Sequence, residues 1–228
     1  MSVGILPGDF EISMDESGQL ASKLILSTAY NVIPLWLRIA RDRLIDAKKA
    51  SEDIAANWKD DADHQKALLI AELAPSMEVI VSCGIALDSL YDMLRPYAKL
   101  SEEDINRWKA NRTGRDAQIF EVVRRVLKPE KKHVKEFKKA ITDIIKFRDM
   151  AVHPTLELKN AHLRPDLKIA VDWKFAAYRF SNAWAAFNTT TQILLFAHQQ
   201  QKLDQRLVVA FNNILEALEE LGVVRTNP

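Results

Sequence analysis

The residues of this chain best equipped for chemistry lie in one short stretch, Arg148-Asp149-Met150-Ala151-Val152-His153, with Pro154 directly after it. Arginine keeps its charge at any working pH, and its planar fork fits phosphate oxygens. Histidine exchanges a proton near neutrality. A cation that holds developing negative charge and a group that moves a proton are a minimal kit for cleaving a phosphodiester without a metal. The spacing by itself says little: with 14 Arg and 5 His in 228 residues, chance supplies about 0.3 such pairs. The surrounding element decides what the pair means.

Residues 129–152 read as one helix, with Pro129 in its first turn. At about 100° per residue, Val134, Phe137, Ile141, Ile144, Ile145 and Val152 share one face. Lys128, Lys131, Lys135, Lys138, Lys139 and Lys146 gather roughly opposite, and Asp149 and His153 extend that flank. Arg148 falls on the apolar stripe, where a cation needs a carboxylate or a crevice. Glu78, Asp88 and Asp92, in the most apolar helix, are the carboxylates that could reach it. Residues 124–148 hold ten Lys/Arg against Glu130, Glu136 and Asp143, a local net of 10 − 3 = +7 in a chain of formal net charge +1. A polyanion would therefore meet a local basic surface and not a global field. Pro154 disfavours helical geometry at His153, so the helix ends there and the histidine faces any anion the lysines attract. Each feature has a plainer meaning: a solvated lysine face, a structural ion pair, a helix-ending His-Pro. Their coincidence in one helix sets them apart.

The rest of the chain supplies a scaffold of helices. The composition is 48% hydrophobic and 28% charged, enough for a core, and 6 Gly with 8 Pro argues against a turn-rich sheet protein. Residues 1–16 read as an irregular tail containing Pro7 and Gly8, and 17–228 as one all-α domain. Helices are expected over 18–49 with a kink at Pro34, from Ser51 to Trp58, over 63–95 with a kink near Pro75, from Ser101 with Asp104 completing a capping box, over 115–127, over 129–152, and over 169–200 and 203–221. Residues 154–167 read as a loop. The single Cys83 excludes an internal disulfide and a cysteine-based zinc site; as a buried thiol it fits a reducing cytoplasm. The N-terminus lacks the pattern of a signal peptide, and no apolar run reaches about 18 residues, so no membrane span is expected.

The stretch Arg148-Asp149-x3-His153 resembles the R-x4–6-H signature of HEPN domains, with aspartate at a position after the arginine that is commonly Asn, Asp or His. A highly apolar helix precedes the motif at 76–95, and its sequence SMEVIVSCGIALDSLYDML looks like the amphipathic core helix of such domains. The resemblance covers about 65–200, with 1–60 and 203–228 as extensions. It implies an all-α bundle, a homodimer in which two motif helices face each other, no cofactor, and metal-independent endoribonuclease activity in toxin–antitoxin, phage-defence or RNA-processing systems. RNA would be the substrate, with an antitoxin or regulatory protein as a further partner. Arg148 and His153 would be catalytic, Asp149 would orient His153, and the six lysines would bind the RNA backbone. Other members of the family are non-catalytic interaction or scaffolding modules. One toxin subgroup carries a tyrosine two residues after the histidine; Thr155 stands there, so that subgroup's regulation does not transfer.

Other chemistries find little support. His64, His133, His162 and His198 are scattered without metal-ligand spacing. No glycine-rich phosphate loop or nucleophile-elbow serine is present. Trp36, Trp58, Trp108, Trp173 and Trp184 read as core or interface residues, with Trp108, beside Lys109, Asn111, Arg112 and Arg115, the one placed to stack a base.

Overall fold

The computed structural model describes residues 2–4, 10–24, 27–153, 160–200 and 203–224. Pro7, Gly8, Pro154 and Thr155 lie outside them. Two units divide the chain, residues 1–32 and 33–228.

The first unit is built of strands, which corrects both the irregular tail expected over 1–16 and the helix expected from residue 18. β1 (Ser2–Gly4) pairs antiparallel with β4 (Ser27–Ala29), and β2 (Phe10–Met14) with β3 (Leu20–Leu24). Phe10 stands opposite Leu24 and Met14 opposite Leu20. The period-two run Phe10, Ile12, Met14, then a polar turn, then Leu20 and Leu24 is a hairpin signature. Within the turn the Asp15 carboxylate accepts from the backbone N–H of Ser17 and Gln19, each at 2.9 Å, and Gly18 takes φ +83°. Only glycine enters that region freely.

The second unit is an all-α helical bundle with one small hairpin. α1 (Ile33–Asn57) is a single helix of 25 residues. Pro34 lies in its first turn, where the missing N–H has no partner to lose, so the expected kink becomes a helix start and the separate helix at 51–58 merges into α1. α2 (Ala62–Leu94) continues through Pro75. A short 3-10 turn (Arg95–Tyr97) leads to α3 (Glu102–Ala110), opened by the expected Ser101/Asp104 capping box. α4 (Arg115–Leu127), α5 (Val134–Val152), the hairpin β5 (His162–Arg164) and β6 (Ile169–Val171), then α6 (Trp173–Ala177), α7 (Phe180–His198) and α8 (Gln205–Glu220) complete the order. The hairpin falls partly in the expected loop and partly in the helix expected from 169.

α2 is the hub, packing against α1, α4, α5 and α7. By length and composition it is apolar enough to cross a membrane. Here Val79, Ile80, Cys83, Leu87, Leu90 and Leu94 are buried within the bundle. Two polar devices brace this core. Arg164 of β5 and Glu72 of α2, each 1% exposed, pair at 2.6 Å, and Glu72 also accepts from the Phe180 N–H at 3.0 Å at the start of α7. The Tyr178 hydroxyl donates to the Phe147 carbonyl of α5 at 2.9 Å. Among the described residues, four non-glycine residues adopt positive φ: Lys99, Arg112, Lys128 and Lys168, at 47° to 54°. All four are basic. Lys128 closes α4 in this way.

Candidate functional site

α5 begins five residues later than its sequence suggests. Lys128 ends α4 in the left-handed region, and residues 131–133 form a turn in which the His133 N–H donates to the Glu130 carbonyl at 2.9 Å. α4 and α5 pack against each other, so the chain must reverse here, and the reversal takes up residues that the wheel assigned to the helix. Lys128 and Lys131 therefore lie off α5, while Lys135, Lys138, Lys139 and Lys146 remain on its exposed flank. Ile141, Ile144 and Ile145 are buried as the stripe requires, but Val152 at its end is exposed.

Arg148 points inward. Its side chain is 15% exposed, and Nη1 donates to an oxygen of Asp88 on α2. Its Nε lies 2.8 Å from an Asp149 carboxylate oxygen, a close ionic contact without hydrogen-bond geometry. The helices come close enough for this because residue 84 is glycine: a Cβ there would sit 2.7 Å from Arg148 Cγ and 2.8 Å from its Cβ. Asp88 also accepts from Arg115 Nε at 2.6 Å, and the Arg115 guanidinium stacks 3.8 Å from the Tyr91 ring centroid. Arg115 is raised above its ordinary pKa: burial is the largest influence and works against its charge, but the hydrogen bond to Asp88 and the charges of Asp88 and Asp92 together outweigh it. Of the three carboxylates placed in reach of Arg148 by sequence, Asp88 is the partner. Asp92 lies 3.5 Å from Arg115, and Glu78 lies 3.8 Å from Arg43.

His153 caps the C-terminus of α5 at φ −118°, its backbone N–H donating to the Asp149 carbonyl at 2.9 Å. Its exposed side chain faces a cleft of about 430 Å³ lined also by Asp116, Thr142, Lys146, Asp149 and Met150. The Thr142 hydroxyl donates to Asp116 at 2.8 Å across the cleft, joining α5 to the first turn of α4. Among the described residues, no hydrogen bond joins the Asp149 carboxylate to the His153 ring; its nearest charge is Arg148. The cleft thus combines an exposed imidazole, an ammonium group and two carboxylates, one of them against an arginine. No group of His, Cys, Asp or Glu among the described residues has the arrangement of a metal site.

The basic surface is less concentrated than the count of residues 124–148 implies. Arg124 and Arg125 both bind Glu121, at 2.7 Å, and Arg125 binds Asp104 at 2.7 Å. With Arg148 on Asp88, three of the ten cations are answered from outside the segment. Lys139 pairs with Asp143 at 2.6 Å, and Lys138 lies 6.0 Å from the Phe120 ring centroid. Trp108 packs half-buried against the core.

Gly84, Asp116 and Thr142 belong to the site but were not singled out by sequence, and Arg115 was noted only as a basic neighbour of Trp108. Gly84 had a signal: a glycine four residues before Asp88, inside an apolar helix, marks a close approach. Asp116 and Thr142 had none, because only the packing of α4 on α5 brings them together. No family model matches the chain, and no curated protein and no solved structure is significantly similar to it.

Proposed function

We propose that this chain is a metal-independent endoribonuclease of the HEPN type, with His153 and Arg148 as its catalytic residues. The observation that carries the reading is the end of α5, where an exposed histidine opens on a cleft whose Asp149 touches Arg148, an arginine held by two carboxylates just outside the cleft lining. In RNA the 2′-hydroxyl attacks the adjacent phosphorus, forming the O2′–P bond as the P–O5′ bond breaks. The products are a 2′,3′-cyclic phosphate and a 5′-hydroxyl, and no water need be activated. His153 would move the proton to or from the reacting oxygens. Arg148 would meet phosphorane charge through the part of its side chain that solvent reaches. Asp149 would hold Arg148 and not His153, a change from the role its sequence position implied. Lys146 at the cleft and Lys135, Lys138 and Lys139 further along α5 would guide the RNA backbone, with Lys128 and Lys131 beyond the helix start. A toxin–antitoxin or phage-defence setting, with an antitoxin or regulatory protein as partner, is the biological context this reading carries.

A second reading has its own support. Arg148 is largely buried on Asp88, which suits a brace as well as a catalyst, so the motif could serve a non-catalytic interaction module. One assay separates the two. The parent protein is incubated with a broad RNA panel, with and without chelator, beside a substrate carrying a 2′-deoxy residue at the cut site. Cleavage should survive chelation, fail on the deoxy substrate, and disappear in His153→Ala at an unchanged melting temperature, because His153 is exposed. Replacing Lys135, Lys139 and Lys146 with Gln should weaken RNA binding and flatten its salt dependence. A folded His153→Ala variant that cuts as fast as the parent overturns the catalytic assignment. A parent that cuts nothing leaves the interaction module as the better reading.

A further inference from the structure

A cleft that receives a phosphodiester has little use for an unanswered carboxylate, yet Asp116 is one. It is half-buried and lines the same cleft as His153. Among the described residues its side chain has one partner, the Thr142 hydroxyl, which donates at 2.8 Å. The other cleft carboxylate, Asp149, lies against Arg148. An acid in the first turn of α4 suits the helix dipole, but the dipole asks for no fixed orientation. Asp116 has one. Thr142 holds one carboxylate oxygen, and Gly114 makes room for the other: a Cβ at residue 114 would sit 2.6 Å from Asp116 Oδ1. Gly114 has φ −59° and ψ 153°, angles open to any residue, so its missing side chain supplies space and not backbone freedom. Ile145 and Met150 give the same cleft apolar surface.

We infer that Asp116 reads the Watson–Crick edge of an unpaired guanine in the RNA and so sets where the strand is cut. The inference rests on the nuclease reading for its ligand. Distance decides between a base contact and a second catalytic group. An acid and a base that serve one phosphorus must each lie within about 3 Å of its reacting oxygen. Thr142, which touches Asp116, stands eleven residues before His153, about 16 Å along α5 at the helical rise. That span is too long for a proton-transfer pair and suits the base of a neighbouring nucleotide. The chemistry names the base. A carboxylate only accepts, through two oxygens side by side. Guanine alone presents two adjacent donors on this edge, N1–H and the N2 amine. Adenine, cytosine and uracil each offer one donor beside an acceptor, which the second oxygen repels. The apolar surface of Ile145 and Met150 suits the face of a base better than a phosphate. Phosphate contacts then hold the strand while Asp116 selects its register.

The test uses the full chain and RNAs that cannot be cut, so base preference is read apart from cleavage. Each probe is a fluorescent 2′-O-methyl oligouridine with a central guanosine, inosine or adenosine; inosine differs from guanosine only in lacking the N2 amine. Anisotropy should show the guanosine probe bound at least about 5-fold more tightly than the adenosine probe, the discrimination of one bidentate pair, with inosine between them. In Asp116→Asn this preference should vanish. The ratio is the readout, because removing a carboxylate strengthens binding of any polyanion. Gly114→Ala keeps the charge but displaces the carboxylate, so it should shrink the preference, and it serves alone if circular dichroism shows Asp116→Asn unfolded. Equal binding of the three probes by the parent overturns the inference, and so does binding of none. A folded Asp116→Asn or Gly114→Ala variant with the parental preference overturns it as well. The same sequences with ordinary ribose separate this inference from the reading it rests on. Cuts at a fixed offset from guanosine support both. Guanosine preference without any cutting supports the inference and sinks the nuclease. Cutting without regard to guanosine sinks the inference and leaves the nuclease standing.

Discussion

Asp88 serves two guanidiniums with one carboxylate, and this governs how the residues around it respond to change. Arg148→Ala leaves Asp88 its bond to Arg115, so the carboxylate stays paired. Asp88→Ala leaves Arg115 and Arg148 facing each other with only the more distant Asp92 and the flanking Asp149. We expect Asp88→Ala to cost about 2–4 kcal/mol in denaturant unfolding and Arg148→Ala clearly less, since an uncompensated charge is worse than a missing one; the reverse order would mean that Asp88 is not the shared partner. The pairing was half legible in advance. Helical spacing put Arg148 on a buried stripe and Asp88 among three carboxylates in reach. Choosing Asp88 required the α2–α5 approach that Gly84 permits.

At the scale of elements, α3 and α4 are clamped by Asp104. Arg125 of α4 is its largest influence, and the Ser101 backbone adds to it; together they hold its carboxyl well below the usual range. Glu121 is lowered as well, first by Arg124. A depressed folded value means that the stabilisation is fully present above the unfolded carboxylate range and is lost as pH falls through the lower folded value. Melting temperature should therefore drop as pH decreases below about 4, and Asp104→Asn should be less stable than the parent at pH 7 by a margin that narrows with acidification. A constant margin from pH 7 to 2.5 would show that the ion pairs contribute nothing. Elements also show where pattern reading stopped. The Ser101 capping box, α4 and α8 follow from local signals. α5 could not be bounded, because Pro129 is a good first-turn residue whose preference yields to the reversal between α4 and α5. The β2–β3 hairpin was visible as alternation, yet the apolar residues after it also fit a helical period.

For the helical unit as a whole, the buried Arg164–Glu72 pair ties the β5–β6 hairpin to the hub helix and to the start of α7. Arg164→Ala should cost about 3–5 kcal/mol, because it strands Glu72 in the core. The double variant Glu72→Gln with Arg164→Met keeps an acceptor for the Phe180 N–H and removes both charges. It should therefore unfold later than Arg164→Ala alone; equal stability would mean that the charge pair is not the source of the cost. No residue pattern announced this pair. Arg164 was read as part of a loop, and a buried arginine leaves no periodic trace. The bundle itself was legible, because α2 and α7 are too apolar to face water on most sides.

The four left-handed positions leave a record of competing demands on the chain. Glycine would hold the backbone at Lys99, Arg112, Lys128 and Lys168 without the roughly 1 kcal/mol of strain that a side chain brings there. A library randomised at these sites and selected for heat resistance alone should drift towards glycine. One selected for retention on a polyanion should stay basic wherever the charge is used. The residue that wins at each position would show which demand shaped that part of the surface, without reference to any particular substrate.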